Sequence, residues 1–149
     1  MPVLQFIAVL AATLFAGAAI YINVAEHPAR MECGTVVAAT VFGPSYRRAA
    51  VMQAALALVS TASAIGAWFM GAAAEWLIGA VLIFAVVPFT LFVIMSTNKK
   101  LLDPGVDRSS DTVHRLLRRW GRLHAVRSVL ALAASVVFLA SLVSSIPRP

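Results

Sequence analysis

The stretch WLIGAVLIFAVVPFTLFVIMST, residues 76–97, decides the fold of this chain. It is apolar almost throughout and contains no charged residue. A helix that rises about 1.5 Å per residue needs about 20 such residues to cross a hydrocarbon core about 30 Å thick. This stretch is therefore long enough to form one membrane-spanning helix.

Three further apolar stretches lie at residues 3–24, 49–71 and 121–146, and each has about the length of a span. They lack the alternation of barrel strands and are too long for them. The first has no Lys or Arg before it and exceeds the core of a signal peptide, about 7–15 residues, so we interpret it as a retained helix. The sequence predicts an all-α, integral membrane four-helix bundle, with residues 1–149 forming a single transmembrane domain.

Composition supports a lipid environment for the surface. The 149 residues are 61% hydrophobic and 12% charged, with a mean hydropathy of +0.90, whereas soluble domains are about 45–50% apolar and about 25% charged. The net charge of +6 does not indicate nucleic acid, because a nucleic-acid domain needs a solvated basic face. The expected partners are the lipid bilayer and an apolar small molecule, and oligomer formation stays open. Cys33 is the only cysteine, so no intramolecular disulfide is expected.

Basic residues are concentrated in two of the three connections. The first connection, together with the third and the start of the fourth span, holds eleven of the twelve Lys and Arg residues, and Arg148 is the exception. The positive-inside rule places these connections in the cytoplasm. We therefore expect a multi-pass protein of the bacterial inner membrane with non-cytoplasmic N and C termini. In the third connection, a turn at 103–111 and an N-cap predict a short interfacial helix from about Thr112 that runs into the fourth span.

The end of the first span carries a group of polar residues. Asn23, His27 and Arg30 share one helical face, Glu26 lies beside them, and Pro28 kinks or ends the helix. One interpretation is a solvated helix end at the interface. The other is a functional cluster that faces the bundle, since ionisable residues inside a membrane are costly.

The fourth span opens with a similar group. Trp120, His124 and Arg127 lie on one helical stripe, with Arg127 inside the predicted span. Arg127 either snorkels toward the interface or finds a partner, for which Glu26 is nearest in level. His124 is either a functional group or a plain hydrogen-bonding group between helices.

The other two spans send polar groups toward the same end. Asn98 directly follows the third span, and it either caps the helix or bonds across the bundle at the level of His27 and His124, or is a simple helix-end amide. Gln53 in the second span is expected to hold helices together. The predicted substrate-binding residues are Tyr21, Asn23, Tyr46, Gln53 and Trp120. A metal, if one binds, would be held by the two-His, one-carboxylate set of His27, His124 and Glu26. No Walker A loop, dinucleotide fingerprint, cysteine pair or haem-attachment motif is present.

Four blocks occur in order along the chain: EHPAR at 26–30, SYRRA at 45–49 followed by Met52 and Gln53, TNK at 97–99 followed by Leu101 and Leu102, and RWGRLHAVR at 119–127. Together they resemble the anthrone oxygenase family of small four-span membrane proteins. The resemblance covers nearly the whole chain. It implies the four-span fold and an oxygenase activity, although fold-level similarity does not transfer a substrate.

The implied chemistry needs few protein groups. An anthrone that loses a proton gives a delocalised carbanion, which can itself donate an electron to oxygen. His124 is the preferred base and His27 the second candidate, because an adjacent Arg127 favours the neutral imidazole that accepts a proton. Asn98 and Arg127 would stabilise the oxyanion, and Glu26 completes the predicted catalytic set. No cofactor is required, and the alternative is a single metal ion.

Two functions remain open from the sequence. The first is a membrane-embedded oxygenase or related oxidoreductase that acts on an apolar phenolic, anthrone-like or quinone-like molecule. The second is a non-enzymatic membrane carrier or assembly factor whose polar cluster is structural or binds a ligand. A pocket lined by both histidines would favour the first, and a closed mouth with every polar group paired would favour the second.

Overall fold

The computed structural model describes residues 1–145, which form four long helices. These are α1 (Pro2–Glu32), α2 (Thr35–Phe69), α3 (Glu75–Leu101) and α4 (Asp111–Ser144). Each helix is long and apolar enough to cross a membrane, and the described part of the chain contains no strand. The predicted all-α four-helix architecture is confirmed, and it indicates an integral membrane protein. The predicted end of the fourth span at Ile146 and the exceptional Arg148 lie outside the described residues.

The helices form a square bundle in which neighbours in sequence are neighbours in space. α1 packs on α2 and α4, and α3 packs on α2 and α4, so α1 lies diagonally opposite α3. Large apolar side chains cover the outside of the bundle, as expected for a surface in contact with lipid. Examples are Phe6, Phe69, Val81, Phe92, Val129 and Val143.

The helices extend well beyond the predicted spans. Only residues 33 and 34 separate α1 from α2, so most of the segment between the first two predicted spans is helical rather than a loop. α2 also continues through Pro44. Charged residues end an apolar run without ending the helix. The tight turns at Gly34 and Gly71 use φ values of 93° and 94°, a region that favours glycine.

The connection between α3 and α4 is a polar turn that ends in a helix cap. The Ser110 hydroxyl accepts a hydrogen bond from the Val113 N–H at 3.3 Å, as expected for an N-cap residue. Hydrogen bonds from the Ser109 side chain and backbone lower the pKa of the exposed Asp107 carboxyl. From Asp111 onward α4 is unbroken, so the predicted interfacial helix is the first part of this long helix.

Two helices contain a π-helical turn close to a proline. Ile22–Glu26 forms one in α1, directly before Pro28, and Thr90–Ile94 forms the other in α3, directly after Pro88. Proline lacks the N–H that the preceding turn would use, so the local hydrogen-bond pattern must change. A π turn also rotates the residues after it relative to those before it.

Two apolar cores and a polar layer fill the bundle. The first core contains Phe15, Trp76, Ile83 and Phe138 with many alanines; the second contains Ile22, Phe42, Leu117 and Trp120. The polar layer is defined as Asn23, Gln53, His124, Arg127 and Ser128. Its members on α2 and α4 lie between the two cores in sequence, and Asn23 directly follows Ile22 of the second core on α1. Most of the second core is built by helix beyond the predicted spans. The polar groups therefore lie within the bundle rather than at its end.

Candidate functional site

His124 is held by a network between α1 and α4. Its Nδ1 lies 2.8 Å from Asn23 Oδ1, and the Ser128 hydroxyl donates to the same oxygen at 2.6 Å. Asn23 Nδ2 donates to the Gly121 carbonyl at 2.9 Å. The imidazole is 1% exposed and stacks on Trp120, with ring centroids 4.7 Å apart.

This network determines which imidazole nitrogen is free. The bond to Gly121 fixes the orientation of the Asn23 amide, so its Oδ1 can only accept. His124 Nδ1 must then carry the proton of this contact. In the neutral ring, Nε2 keeps its lone pair. The arrangement therefore presents His124 Nε2 as a proton acceptor, with Asn23 as the group that orients the ring.

Arg127 is paired with an amide. Its Nη2 donates to Gln53 Oε1 at 2.9 Å, which joins α4 to α2 and agrees with the predicted role of Gln53 between helices. The guanidinium carbon also lies 5.5 Å from the centre of the Phe15 ring, a distance compatible with a cation–π interaction. Within residues 1–145 the only ion pair joins Arg30 to Glu26, so the charge of Arg127 has no carboxylate partner there.

A small cavity of about 20 Å³ joins these groups. A water molecule needs at least about 10–15 Å³, so this cavity has room for about one water molecule. Its walls come from α1, α2 and α4. Its polar lining residues are Arg30, Ser45, Tyr46, Gln53, His124 and Arg127, with Trp120 among the others.

Glu26 and Arg30 form a separate contact with α2. Arg30 pairs with Glu26 and donates to the Ser45 hydroxyl at 2.7 Å. The predicted pairing of Glu26 with Arg127 is therefore wrong. Asn23 contacts α4 while Arg30 contacts α2, because the π turn and Pro28 come between them. Asn23 and His27 keep the shared face expected from regular helical spacing, since both lie against Gly121 of α4, whereas Arg30 does not.

His27 contacts Trp120 but does not line the small cavity. Its ring centroid is 5.3 Å from that of Trp120, and it lines a separate surface groove between α1 and α4 with Asn23, His114 and Arg118. A Cβ added at Gly121 would come within 2.7 Å of the His27 ring. Glycine at 121 is thus what lets the two helices approach closely here.

The remaining predicted residues do not reach the small cavity. Asn98 is fully buried, and neither atom of its amide group has a hydrogen-bond partner in the part of the chain that the structure describes. It lines none of the cavities described here. Tyr21 is 61% exposed and, with Glu26, lines an outer groove between α1 and α2. The structure thus brings together Tyr46, Gln53, Trp120, His124 and Arg127.

The predicted metal ligands do not form a cluster. Across residues 1–145, no three His, Cys, Asp or Glu side chains come close enough to hold one ion. Glu26 is engaged by Arg30, and His124 Nδ1 by Asn23. The set of His27, His124 and Glu26 therefore does not fit a single metal site in this arrangement.

Three contributors were missed by the sequence analysis. Ser128 follows His124 by one helical turn, and this i, i+4 spacing was available as a signal. Ser45 lies in the SYRRA block, directly before the predicted Tyr46. Phe15 looked like any other apolar residue of the first span, and no sequence signal separates it from those that face lipid.

Comparison with known proteins gives one family match. The family model described as anthrone oxygenase matches residues 42–137, which is more than half of the chain. That range includes α3, most of α2 and most of α4. It therefore contains Gln53, His124 and Arg127 of the candidate site, whereas Asn23 and Arg30 lie before it.

Two curated relatives carry the same description. Anthrone oxygenase gedH of Aspergillus terreus is 39% identical over 62 residues, which cover 40% of this chain and 41% of the relative. Anthrone oxygenase tpcL of Aspergillus fumigatus is 40% identical over 73 residues, which cover 46% of this chain and 45% of the relative. The matched region thus spans less than half the length of these relatives. No solved structure matches the chain.

Proposed function

Because the chain belongs to the anthrone oxygenase family, we propose that it is a membrane-embedded oxygenase or related oxidoreductase. Its substrate would be an apolar phenolic, anthrone-like or quinone-like molecule. The observation that carries the proposal is one cavity that is lined both by an oriented imidazole, His124, and by a guanidinium without a carboxylate partner among residues 1–145, Arg127. The first group suits a base, and the second suits a developing anion.

The reaction we propose is the oxidation of an anthrone methylene to a carbonyl. His124 Nε2 takes one proton from the methylene, and Arg127 stabilises the negative charge that moves to the ketone oxygen. The carbanion gives two electrons to dioxygen, and a new carbon–oxygen bond forms. The peroxide anion takes up a proton to give a hydroperoxide. The second methylene hydrogen then leaves as a proton while the carbonyl forms and the O–O bond breaks, and the departing hydroxide takes up a proton and leaves as water. One oxygen atom stays in the product, and the other leaves as water.

Only the protein groups and dioxygen are needed for this sequence, so the proposal requires no cofactor. A single metal ion is the alternative, although the candidate ligands His27, His124 and Glu26 are not clustered. A cofactor-free reaction predicts that chelator treatment leaves the rate unchanged. A rate that falls with a chelator and returns with one added metal would support the alternative.

Oxygen uptake by the purified protein tests the proposal. Wild type in detergent would be given an anthrone, with protein-free detergent as the control for spontaneous oxidation. We expect His124→Ala to abolish the protein-dependent oxygen uptake. The variant should still be folded, as shown by a melting transition in detergent. His114→Ala is the matched control, because His114 bonds Thr35 and does not line the small cavity. Full activity in His124→Ala would show that the proposed base is wrong.

One observation keeps the non-enzymatic function in view. His124 lines the small cavity, but His27 lines a different groove, so the two histidines do not share one pocket. A carrier or assembly factor would bind the anthrone, or hold its helices together, without consuming oxygen. Saturable binding without oxygen uptake by wild type would therefore favour this second function.

The orientation is also a proposal. With eleven of twelve basic residues in or beside two connections, the positive-inside rule supports cytoplasmic basic connections and non-cytoplasmic termini. The relatives described above are fungal, and they give no support to a bacterial inner membrane. The proposal therefore concerns the direction of insertion rather than the kind of membrane.

A further inference from the structure

Two buried N–H groups of the polar layer have no acceptor among residues 1–145. They are Gln53 Nε2 and Arg127 Nε. The two side chains are already joined through Arg127 Nη2 and Gln53 Oε1. This bond uses the amide oxygen and leaves the amide NH₂ as a donor only. Because unpaired buried donors are costly, the pair is suited to receive an oxygen atom from a ligand.

The same two residues form the inner end of a second cavity, of about 180 Å³. Its deep wall includes the fully buried Phe15 and Val86. Its rim includes Ala54, which is exposed, and Leu91, which is 54% exposed. The cavity therefore runs from the outer, lipid-facing surface between α2 and α3 to the Gln53–Arg127 pair.

The small cavity at His124 lies against the same pair. Tyr46, Ala50, Gln53 and Arg127 line both cavities. A ligand oxygen placed at the two free donors would thus be adjacent to the space that contains the proposed base. The lining of the larger cavity is otherwise apolar except for Thr90, whose hydroxyl already donates to the Val86 carbonyl at 2.6 Å.

We propose that this larger cavity is a lateral binding site for an aromatic ring that carries one acceptor oxygen. The ring enters from the lipid between α2 and α3, and its oxygen accepts from the side chains of Gln53 and Arg127, which line the inner part of the cavity. The inference rests on the proposed function and specifies where and how its substrate binds. An apolar cavity of about 150 Å³ holds benzene, so a cavity of 180 Å³ encloses about one ring. Anthrone and anthraquinone carry their oxygen on the middle ring, so the two outer rings would flank that ring along the opening between α2 and α3.

Equilibrium binding of anthraquinone tests the site without any turnover. Wild type in lipid nanodiscs is titrated with anthraquinone, and empty nanodiscs give the background partitioning into lipid. Anthracene, which has the same fused rings and no oxygen, is the second probe. We expect saturable binding of anthraquinone by wild type and weaker binding of anthracene.

Substitutions at the rim provide a matched pair of variants. Ala54→Phe should weaken anthraquinone binding roughly tenfold by closing the opening. Ala55→Phe should bind like wild type, because Ala55 is also exposed but does not line the cavity. Equal binding by the two variants would overturn the lateral site.

Gln53→Glu tests the donors and keeps the size of the side chain. Its carboxylate pairs with Arg127 and removes one N–H donor, so anthraquinone binding should fall while anthracene binding changes little. Equal losses for both probes would overturn the oxygen-binding role of the pair. Anthraquinone binding in this pattern without any oxygen uptake on anthrone would leave the site standing and refute the oxygenase proposal.

Discussion

Replacing Asn23 with Ala should weaken both the fold and the reaction, because one amide makes three contacts between α1 and α4. It donates to the Gly121 carbonyl at 2.9 Å, contacts His124 Nδ1 at 2.8 Å and accepts from Ser128 at 2.6 Å. Hydrogen bonds between membrane helices contribute on average about 0.6 kcal/mol each. Losing three predicts a decrease of about 2 kcal/mol in the free energy of unfolding.

The effect on rate should exceed the effect on stability. Without Asn23 no group holds the proton on His124 Nδ1, so the imidazole can exchange tautomers and rotate on its stack with Trp120. A positioned general base contributes about 10²–10⁴-fold to a rate. Since His124 itself remains, we expect Asn23→Ala to lower kcat roughly 100-fold with a smaller change in KM.

Oxygen uptake and detergent melting would be measured on the same samples. Ser128→Ala removes only the hydroxyl contact, so its rate of oxygen uptake and its melting temperature should both lie between those of wild type and Asn23→Ala. Ser135→Ala is the control, because the Ser135 hydroxyl bonds only to the Ala131 carbonyl of its own helix. Nitrogen-15 chemical shifts of labelled His124 would identify its tautomer independently of activity.

Two results would refute this reasoning. One is a wild-type nitrogen spectrum in which Nε2 rather than Nδ1 of the neutral ring carries the proton. The other is an Asn23→Ala variant that loses stability as predicted but keeps the wild-type kcat. The second result would make Asn23 a purely structural contact between helices.

Three further predictions concern packing, the buried amide and topology. Gly79→Leu should lower the melting temperature far more than Leu58→Ile, because a Cβ at 79 would already overlap the buried Phe138 ring whereas Leu58 is 52% exposed. Equal melting temperatures of the two variants would place Gly79 against lipid. Asn98→Leu should melt at the wild-type temperature or above it, since the substitution removes buried polar atoms that have no partner among residues 1–145. A large loss of oxygen uptake in this folded variant would instead support Asn98 as an oxyanion donor. A reporter fused after the C terminus should be active only on the non-cytoplasmic side, and a cysteine placed within 103–111 should resist labelling from outside; the opposite pattern would reverse the orientation.

The choice of residues in the site was only partly available from sequence. His124 and Arg127 stand out because ionisable groups are rare and costly within an apolar run, and Gln53 stands out for a similar reason. Their partners do not, because a pairing depends on the rotation of each helix about its axis. Regular spacing put Asn23 and Arg30 on one face, and the π turn before Pro28 sends them to α4 and α2 instead.

By itself, the sequence determined that the chain forms four apolar helices, because the length of each apolar run can be compared directly with the thickness of a membrane. It also determined that polar residues from several helices meet at one level. Only the tertiary structure decided that His124 bonds Asn23, that Arg127 bonds Gln53 rather than Glu26, and that His27 faces a different groove. The physical reason is that hydropathy reports which residues avoid water, whereas contacts between helices depend on local helical geometry and on close approach at residues such as Gly121.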